Sequence, residues 1–318
     1  FTMRAAIRKS IFGGVTLFSK TQPEPNFSPS KNSNEVLVKV KSAAINPVDY
    51  KLPRFVIGPV FGLDFSGIVE EIGDNVTNFK VGDAVYGHAH GSIAEKAVSS
   101  ANKIAKKTDD LTFSEAAALP VAYVTALQGL RLGKVTEGSS VLIIGASGGC
   151  GIAAIQLAKA MGAKRIIAIC SGKNSQLVKE TGATEVVDYT NESELQSFFA
   201  TNKESIQCVY DAATGSGHGE KYTNASMSLL LKYVGEYVQL NGSAKVWTKG
   251  VVLKKLPKHQ HLILTDMNTA DLEEVSLLLK KINAKPLMNI MPFTEEGLKE
   301  GFDLLKSRRA KGKIVFDI

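Results

Sequence analysis

The chemistry-bearing feature of the sequence is a short run of small residues. Gly145-Ala146-Ser147-Gly148-Gly149-Cys150-Gly151 follows the apolar Val141-Leu142-Ile143-Ile144 and precedes Ile152-Ala153-Ala154-Ile155-Gln156-Leu157-Ala158-Lys159-Ala160-Met161-Gly162. This reads as strand, glycine turn and helix. Glycines let the backbone turn tightly and approach a pyrophosphate, whose charge is met by the NH groups and positive dipole end of the following helix. The run departs from G-x-G-x-x-G, because Ala146 stands in the first position ahead of Gly148 and Gly151. A glycine-rich turn without a ligand is the competing reading, and the strand before and helix after favour a dinucleotide site.

The choice between dinucleotides is read at the end of the next strand, where a carboxylate would accept from the ribose 2′-hydroxyl of NAD. Cys170-Ser171-Gly172-Lys173 stand there. With no carboxylate in this segment, the Ser171 hydroxyl and the Lys173 ammonium suit a 2′-phosphate, and NADPH is the expected cofactor. By residue type alone Lys173 would be an exposed loop lysine, and its position raises the binding reading above that. Cys150, Cys170 and Cys208 lack C-x-x-C spacing and read as buried, reduced thiols. His88, His90, His259 and His261 read as surface or loop residues, with no adjacent ligand set and hence no metal.

These residues need a scaffold, and 318 residues suffice for two domains. Before Tyr123, β-type stretches such as 35–40 and 67–72 alternate with turns containing Gly, Pro and Asn, which predicts a largely antiparallel region. From Ser139 onward, apolar strands at 141–144, 166–169, 186–188, 208–211 and 237–240 alternate with helical segments. That alternation predicts a parallel, doubly wound sheet, so the fold class is α/β. A strand at Leu262-Ile263-Leu264, a helix over 271–282 and a closing strand at 314–316 follow, the last able to return to the first domain.

No apolar run approaches the roughly 20 residues of a membrane span. The net charge of +7 is spread along the chain, gathering only at Lys254-Lys255 and from Arg308 to Lys313, and reads as solvated surface rather than as a nucleic-acid footprint. Phe1-Thr2-Met3 reads as a remnant ahead of a start at Met3, without a signal-peptide core behind it. The expected location is the cytoplasm, or an organelle if a targeting segment has been removed.

Ala43-Ala44-Ile45-Asn46-Pro47-Val48-Asp49, Gly62-Leu63-Asp64-Phe65-Ser66-Gly67-Ile68-Val69, Val81-Gly82-Asp83-Ala84-Val85-Tyr86-Gly87, Ala116-Ala117-Ala118-Leu119-Pro120, the glycine turn and Gly312-Lys313-Ile314-Val315 occur in this order. Together they resemble the zinc-independent quinone oxidoreductase (zeta-crystallin-like) and enone reductase branch of the medium-chain dehydrogenase/reductase superfamily. The resemblance implies a GroES-like β-rich substrate domain, residues 1–122 and 266–318, around a Rossmann NADPH-binding domain, residues 123–265. It places nicotinamide in the cleft between them. It further implies that Tyr189 joins Ser171 and Lys173 at the 2′-phosphate, that Thr125 lies near the nicotinamide, and that Ala146 to Gly151 and Leu240 also contact the cofactor. Tyr189 reads equally as an ordinary strand-end residue on type alone.

Zinc ligands of the metal-dependent relatives correspond to Asn46 and Leu63, and leucine offers no lone pair. Asn46 is a candidate to hydrogen-bond the substrate oxygen, with Tyr50 or Tyr123 lining the pocket, although Asn46-Pro47 also reads as a turn. The implied reaction is NADPH-dependent reduction of a quinone or an α,β-unsaturated carbonyl. Rival readings are a 2-alkenal or enone double-bond reductase, and a weakly catalytic NADPH-binding protein with an RNA or protein partner. The resemblance also implies a homodimer.

Overall fold

The computed structural model describes residues 1–8, 16–213 and 222–318. The chain divides into two compact units, one of residues Phe1–Val124, Asp266–Ser276 and Lys285–Ile318, the other of Thr125–Thr265 and Leu277–Ala284.

The first unit is the GroES-like sheet domain. It opens with β1 (Thr2–Arg8) and β2 (Thr16–Pro23), an antiparallel pair, then β3 (Glu35–Ile45), β4 (Asp64–Ile72), β5 (Ala84–His88), β6 (Lys96–Ser100) and β7 (Ile104–Lys106). The eleven residues of β3 make it the spine of this unit, with Val36, Val38, Val40, Ala43 and Ile45 all buried. They pack with Phe61, Phe65, Phe302 and Phe316 in one apolar core. Burying each of these Val, Ile and Phe side chains contributes about 1.5–3 kcal/mol.

The second unit supplies β8 (Ser140–Ile144), β9 (Arg165–Cys170), β10 (Glu185–Asp188), β11 (Cys208–Asp211), β12 (Glu236–Gln239) and β13 (Gln260–Leu262). All neighbours pair in parallel in the order β10-β9-β8-β11-β12-β13. Numbered from its first strand, the sheet runs 3-2-1-4-5-6, the Rossmann order, whose reversal between the first and fourth strands opens a crevice at the carboxyl ends. Leu142, Ile144, Ile167, Ile169 and Val209 form its core, which explains the near-continuous apolar runs of these strands.

The chain returns to the first unit with β14 (Met288–Pro292) and β15 (Lys313–Asp317), and the sheet there runs β14-β15-β3-β4-β5-β7, with β6 also paired to β3. The closing strand expected at 314–316 thus pairs antiparallel with β3. The strand expected at 262–264 lies two residues earlier, because Gln260, His261 and Leu262 take the parallel register opposite Tyr237, Val238 and Gln239. Leu264 is left 57% exposed. Among the described residues no helix is long and apolar enough to cross a membrane.

Candidate functional site

At the carboxyl edge of the second unit, β8 runs into the glycine turn and then the helix Gly149–Ala160. Gly145 supplies the left-handed conformation the turn needs, with φ of 77°. Gly145, one place before Ala146, thus takes the tight turn that the sequence pattern assigns to a glycine. Ala146 is fully buried, and its backbone NH donates to Ile169 at 3.1 Å. Gly148 is the N-cap, and no side chain caps the helix. The first turn of such a helix has no intrahelical partners for its NH groups, so it suits an anion.

Space explains the other glycines. A Cβ on Gly151 would lie 2.3 Å from the Gly145 carbonyl oxygen and 2.6 Å from Ala146 Cα, so this glycine packs helix onto turn. A Cβ on Gly148 would meet nothing nearer than that same oxygen at 3.5 Å, which leaves room in front of the turn. Cys150 is only half-buried, unlike Cys170 and Cys208, so the expectation of three buried thiols fails there. Burial pushes the Cys170 thiol up to about 11.

Beside the turn, Ser171 directly follows β9 and is buried, Lys173 is exposed, and Tyr189, just past β10, is 46% exposed. Asn174, which the sequence reading passed over, joins them: its Nδ2 donates to Ser147 Oγ at 3.0 Å and to Ser171 Oγ at 3.2 Å. The absence of a carboxylate holds only for the local segment. Asp188 Oδ2 lies 2.3 Å from where a Cβ on Gly172 would be. Its Oδ1 accepts from the Thr190 backbone NH and hydroxyl, and these bonds hold the carboxyl below the usual range.

Farther along the same edge, the Thr125 and Thr265 hydroxyls meet at 2.6 Å, and the half-buried Leu240 donates its NH to Asp211. Gln239 is fully buried with neither amide atom partnered among the described residues. A polar residue at the end of a fully buried strand was the available signal for it.

In the first unit, strand register gathers a polar knot. Ala44 pairs with Asp64 and Ile45 with Ile314, so the residue after β3, Asn46, lies beside the first residues of β4 and β15. Asn46 Nδ2 donates to Asp64 Oδ2 at 2.8 Å, and Lys313 Nζ donates to Asn46 Oδ1 at 2.5 Å and to Asp64 Oδ2 at 2.9 Å. Val121 NH donates to Asp64 Oδ1. Lys313, expected in a solvated basic stretch, is therefore buried, and the salt bridge gives the reason.

Asn46 NH donates to Asp49 Oδ2 at 2.6 Å, while burial raises the Asp49 carboxyl to about 7. Arg8 donates to the Asp49 carbonyl and stacks 4.2 Å from the Phe61 ring centroid. Tyr50 is half-buried on the helix Pro47–Lys51, and Tyr123 is buried, its phenol pushed up by desolvation.

A zinc ion does not fit this donor set. Leu63 offers nothing, the Asn46 oxygen already faces an ammonium, and no group of three His, Cys, Asp or Glu among the described residues could hold a metal. His90 and His259 lie in turns as expected, whereas His88 and His261 stand in strands. His88 belongs to β5, its Nδ1 buried without a partner among the described residues and its pKa lowered to about 4 by burial. His259 and His261 are partly buried around the carboxylate of Glu236, at 3.3 and 2.9 Å, with Lys134 on the same carboxylate.

Residues 32–128 match the alcohol dehydrogenase GroES-like domain family and residues 149–244 the zinc-binding dehydrogenase family. The chain belongs to the medium-chain dehydrogenase/reductase superfamily. Within that superfamily it falls among the zinc-independent quinone and enone oxidoreductases. It is 33% identical to the 2-methylene-furan-3-one reductase of Solanum lycopersicum, over 90% of this chain and 72% of the relative. It is 29% identical to the chloroplastic NADPH-dependent alkenal/one oxidoreductase of Arabidopsis thaliana, over 96% and 77%. The structure of the quinone oxidoreductase from Coxiella burnetii superposes with a TM-score of 0.82 at 29% identity, covering 99% of each chain. Other curated relatives are matched over only 54% of their length.

Proposed function

We propose that this chain reduces quinones or α,β-unsaturated carbonyls by hydride transfer from NADPH, without zinc. One observation carries the reading: an uncapped helix behind a glycine turn, at the carboxyl edge of a 3-2-1-4-5-6 sheet, with Ser171, Lys173 and Tyr189 at the ends of the next two strands. The superfamily relatives named for NADPH, alkenal, furanone and quinone chemistry support it.

In this reading Ser147, Gly148, Gly149, Cys150 and Gly151 hold the pyrophosphate, with Ala146 seating the turn. Ser171, Lys173 and Tyr189 hold the 2′-phosphate, and Thr125 and Leu240 line the nicotinamide end. The bound cofactor supplies hydride, so the protein need only orient an electron-poor acceptor and exclude competing chemistry. Asn46 has an amide hydrogen beyond the one given to Asp64, and that hydrogen is its means of holding a substrate oxygen. Tyr50 and Tyr123 are proposed to line the acceptor pocket. Tyr123, its phenol pushed up, stays protonated and acts there as a hydrogen-bond donor rather than an acid.

Use of NADH is the second reading, and Asp188 favours it, since a carboxylate beside Gly172 repels a 2′-phosphate. The homodimer is proposed on the same family grounds, and the location is proposed as the cytoplasm, or an organelle if a targeting segment has been removed, which the chloroplastic relatives favour. Loss of NADPH absorbance with matched quinone and enone acceptors tests the function, with NADH and a chelator in parallel. Turnover with NADPH that survives chelation and weakens with NADH supports the proposal, and the better acceptor separates quinone reductase from double-bond reductase. Binding of NADPH without turnover on any acceptor would point to the non-catalytic reading.

A further inference from the structure

We infer that Asn174 is a specificity-determining positioning residue, which fixes the Ser147 and Ser171 hydroxyls as donors toward phosphate and couples the two phosphate subsites. The inference rests on the dinucleotide reading and extends it to a residue outside the family motifs quoted above.

The argument is one of hydrogen-bond polarity. Asn174 Nδ2 donates to Ser147 Oγ in the glycine turn and to Ser171 Oγ at the end of β9, at 3.0 and 3.2 Å. Both hydrogens of this amide are thereby used. A serine hydroxyl has a single hydrogen, and one that accepts from an amide keeps that hydrogen for another partner. Neither serine spends it on a described residue. Phosphate oxygens accept and do not donate at neutral pH. The asparagine therefore presets both hydroxyls for anionic oxygens before any ligand arrives, and does so at two places with one side chain.

The other end of the amide points to the same ligand class. Asn174 is only 9% exposed, and its Oδ1 is buried with no hydrogen-bond partner among the described residues. A buried carbonyl oxygen left alone is unfavourable, and the group that relieves it must donate. A ribose hydroxyl does this, and a phosphate does not. One side chain thus calls for a phosphorylated ribose: phosphate through the two serines, and sugar hydroxyl through its own oxygen.

Reversing the polarity tests this. Asn174→Asp keeps the shape but accepts from both serines, turning their lone pairs outward. The dissociation constants of NADPH and NADH, followed by nucleotide fluorescence, are the readout, with melting temperature as the control on folding. We expect NADPH binding to weaken by about tenfold or more and NADH binding by less. Adding Ser171→Ala to Asn174→Asp should cost nothing further, because that hydroxyl is already misdirected.

Unchanged NADPH affinity in Asn174→Asp would overturn the inference, since it would mean that the serines already donate to residue 174. Full additivity of Ser171→Ala would also overturn it, by assigning the loss to the new charge alone. Should the aspartate variant fold poorly, Asn174→Ala with a normal melt should still bind NADPH several-fold more weakly, and wild-type affinity there would sink the idea. Failure of the wild-type protein to bind either nucleotide is a different result, which removes the dinucleotide reading itself.

Discussion

The two units hold their polar groups in opposite ways. At the carboxyl edge of the parallel sheet the groups have spare capacity among the described residues: an uncapped helix, two hydroxyls with hydrogens to give and an amide oxygen without a partner. In the knot at the end of β3, Lys313, Asp64 and Asn46 are bonded to one another, and Lys313 also donates to the Ile45 carbonyl. Spare capacity at a glycine turn marks a place built to receive a ligand, whereas the mutual bonding of Lys313, Asp64 and Asn46 marks a place that holds its own geometry, even though Asp49 Oδ1 and Arg8 Nε beside it are buried without a partner among the described residues. Asn46 stands on the boundary between these, since it belongs to the knot and is proposed to reach substrate.

The glycine turn gives the largest expected effect. Gly151→Val puts a branched side chain where even a Cβ would lie 2.3 Å from a carbonyl oxygen, so the turn cannot close. Nucleotide binding should vanish and the melting temperature should drop. Gly148→Ala has room, with its nearest contact at 3.5 Å, and should melt like wild type. If Gly148→Ala then loses nucleotide affinity, the space in front of the turn belongs to the ligand; if both variants behave alike, the distinction between packing glycine and ligand glycine is wrong.

Next comes the knot. Lys313→Met leaves Asp64 buried at 0% exposure without its cation. Removing one partner of such a pair costs about 3–5 kcal/mol. Denaturant unfolding should show a loss of that order, and the double variant Lys313→Met with Asp64→Asn should recover part of it. A loss under about 1 kcal/mol, the ordinary worth of an exposed pair, would mean that the Lys313–Asp64 pair is not closed in solution.

This contrast also governs what could be read in advance. The carboxyl edge of the parallel sheet is legible because strand, turn and helix are contiguous, and the alternation of apolar strands with helices stretches over the whole second unit. The knot is not, since residues 46, 64 and 313 meet only through the register of β3 with β4 and β15. Lys313 looked like one more surface cation for that reason. Asn174 lay four residues beyond Cys170 and still escaped notice, because the significance of an asparagine there depends on two serines that folding brings to it. Glu236 with His259 and His261 escaped similarly, since the pairing of β12 with β13 creates their contact.

A smaller effect lies in the pH response of the knot. Asp49 titrates at about 7 in the folded chain, against about 3.9 for an unperturbed aspartate. Burial is the main cause; Asp64 adds to it, and the Asn46 NH, Lys313 and Arg8 oppose it. Between these two values the folded state binds more protons than the unfolded state, so Asp49 makes stability fall as pH rises through this window, and the penalty levels off above about 7. Asp49→Asn should remove this component, leaving the variant more stable than wild type at pH 8 and closest to it near pH 4. Melting curves across that range provide the check, and a variant whose stability runs parallel to wild type would show that Asp49 is ionised throughout.

The smallest expected effect bears on the open end of the comparison, because Asp188 is a negative charge beside the Ser171 and Lys173 donors proposed for the 2′-phosphate. Thr190 occupies its Oδ1 and keeps it ionised, while Oδ2 stands against Gly172. Exposed charges are screened by water and salt, so the penalty on a 2′-phosphate is modest. Asp188→Asn should tighten NADPH by about two- to fivefold and leave NADH unchanged or slightly weaker, an effect that fades in high salt. The ratio of the two dissociation constants isolates it, because any general damage to the edge moves both together. A ratio that stays fixed would mean that Thr190 has neutralised the influence of the carboxylate, and discrimination would then rest with Ser171, Lys173 and the asparagine that orients the serine.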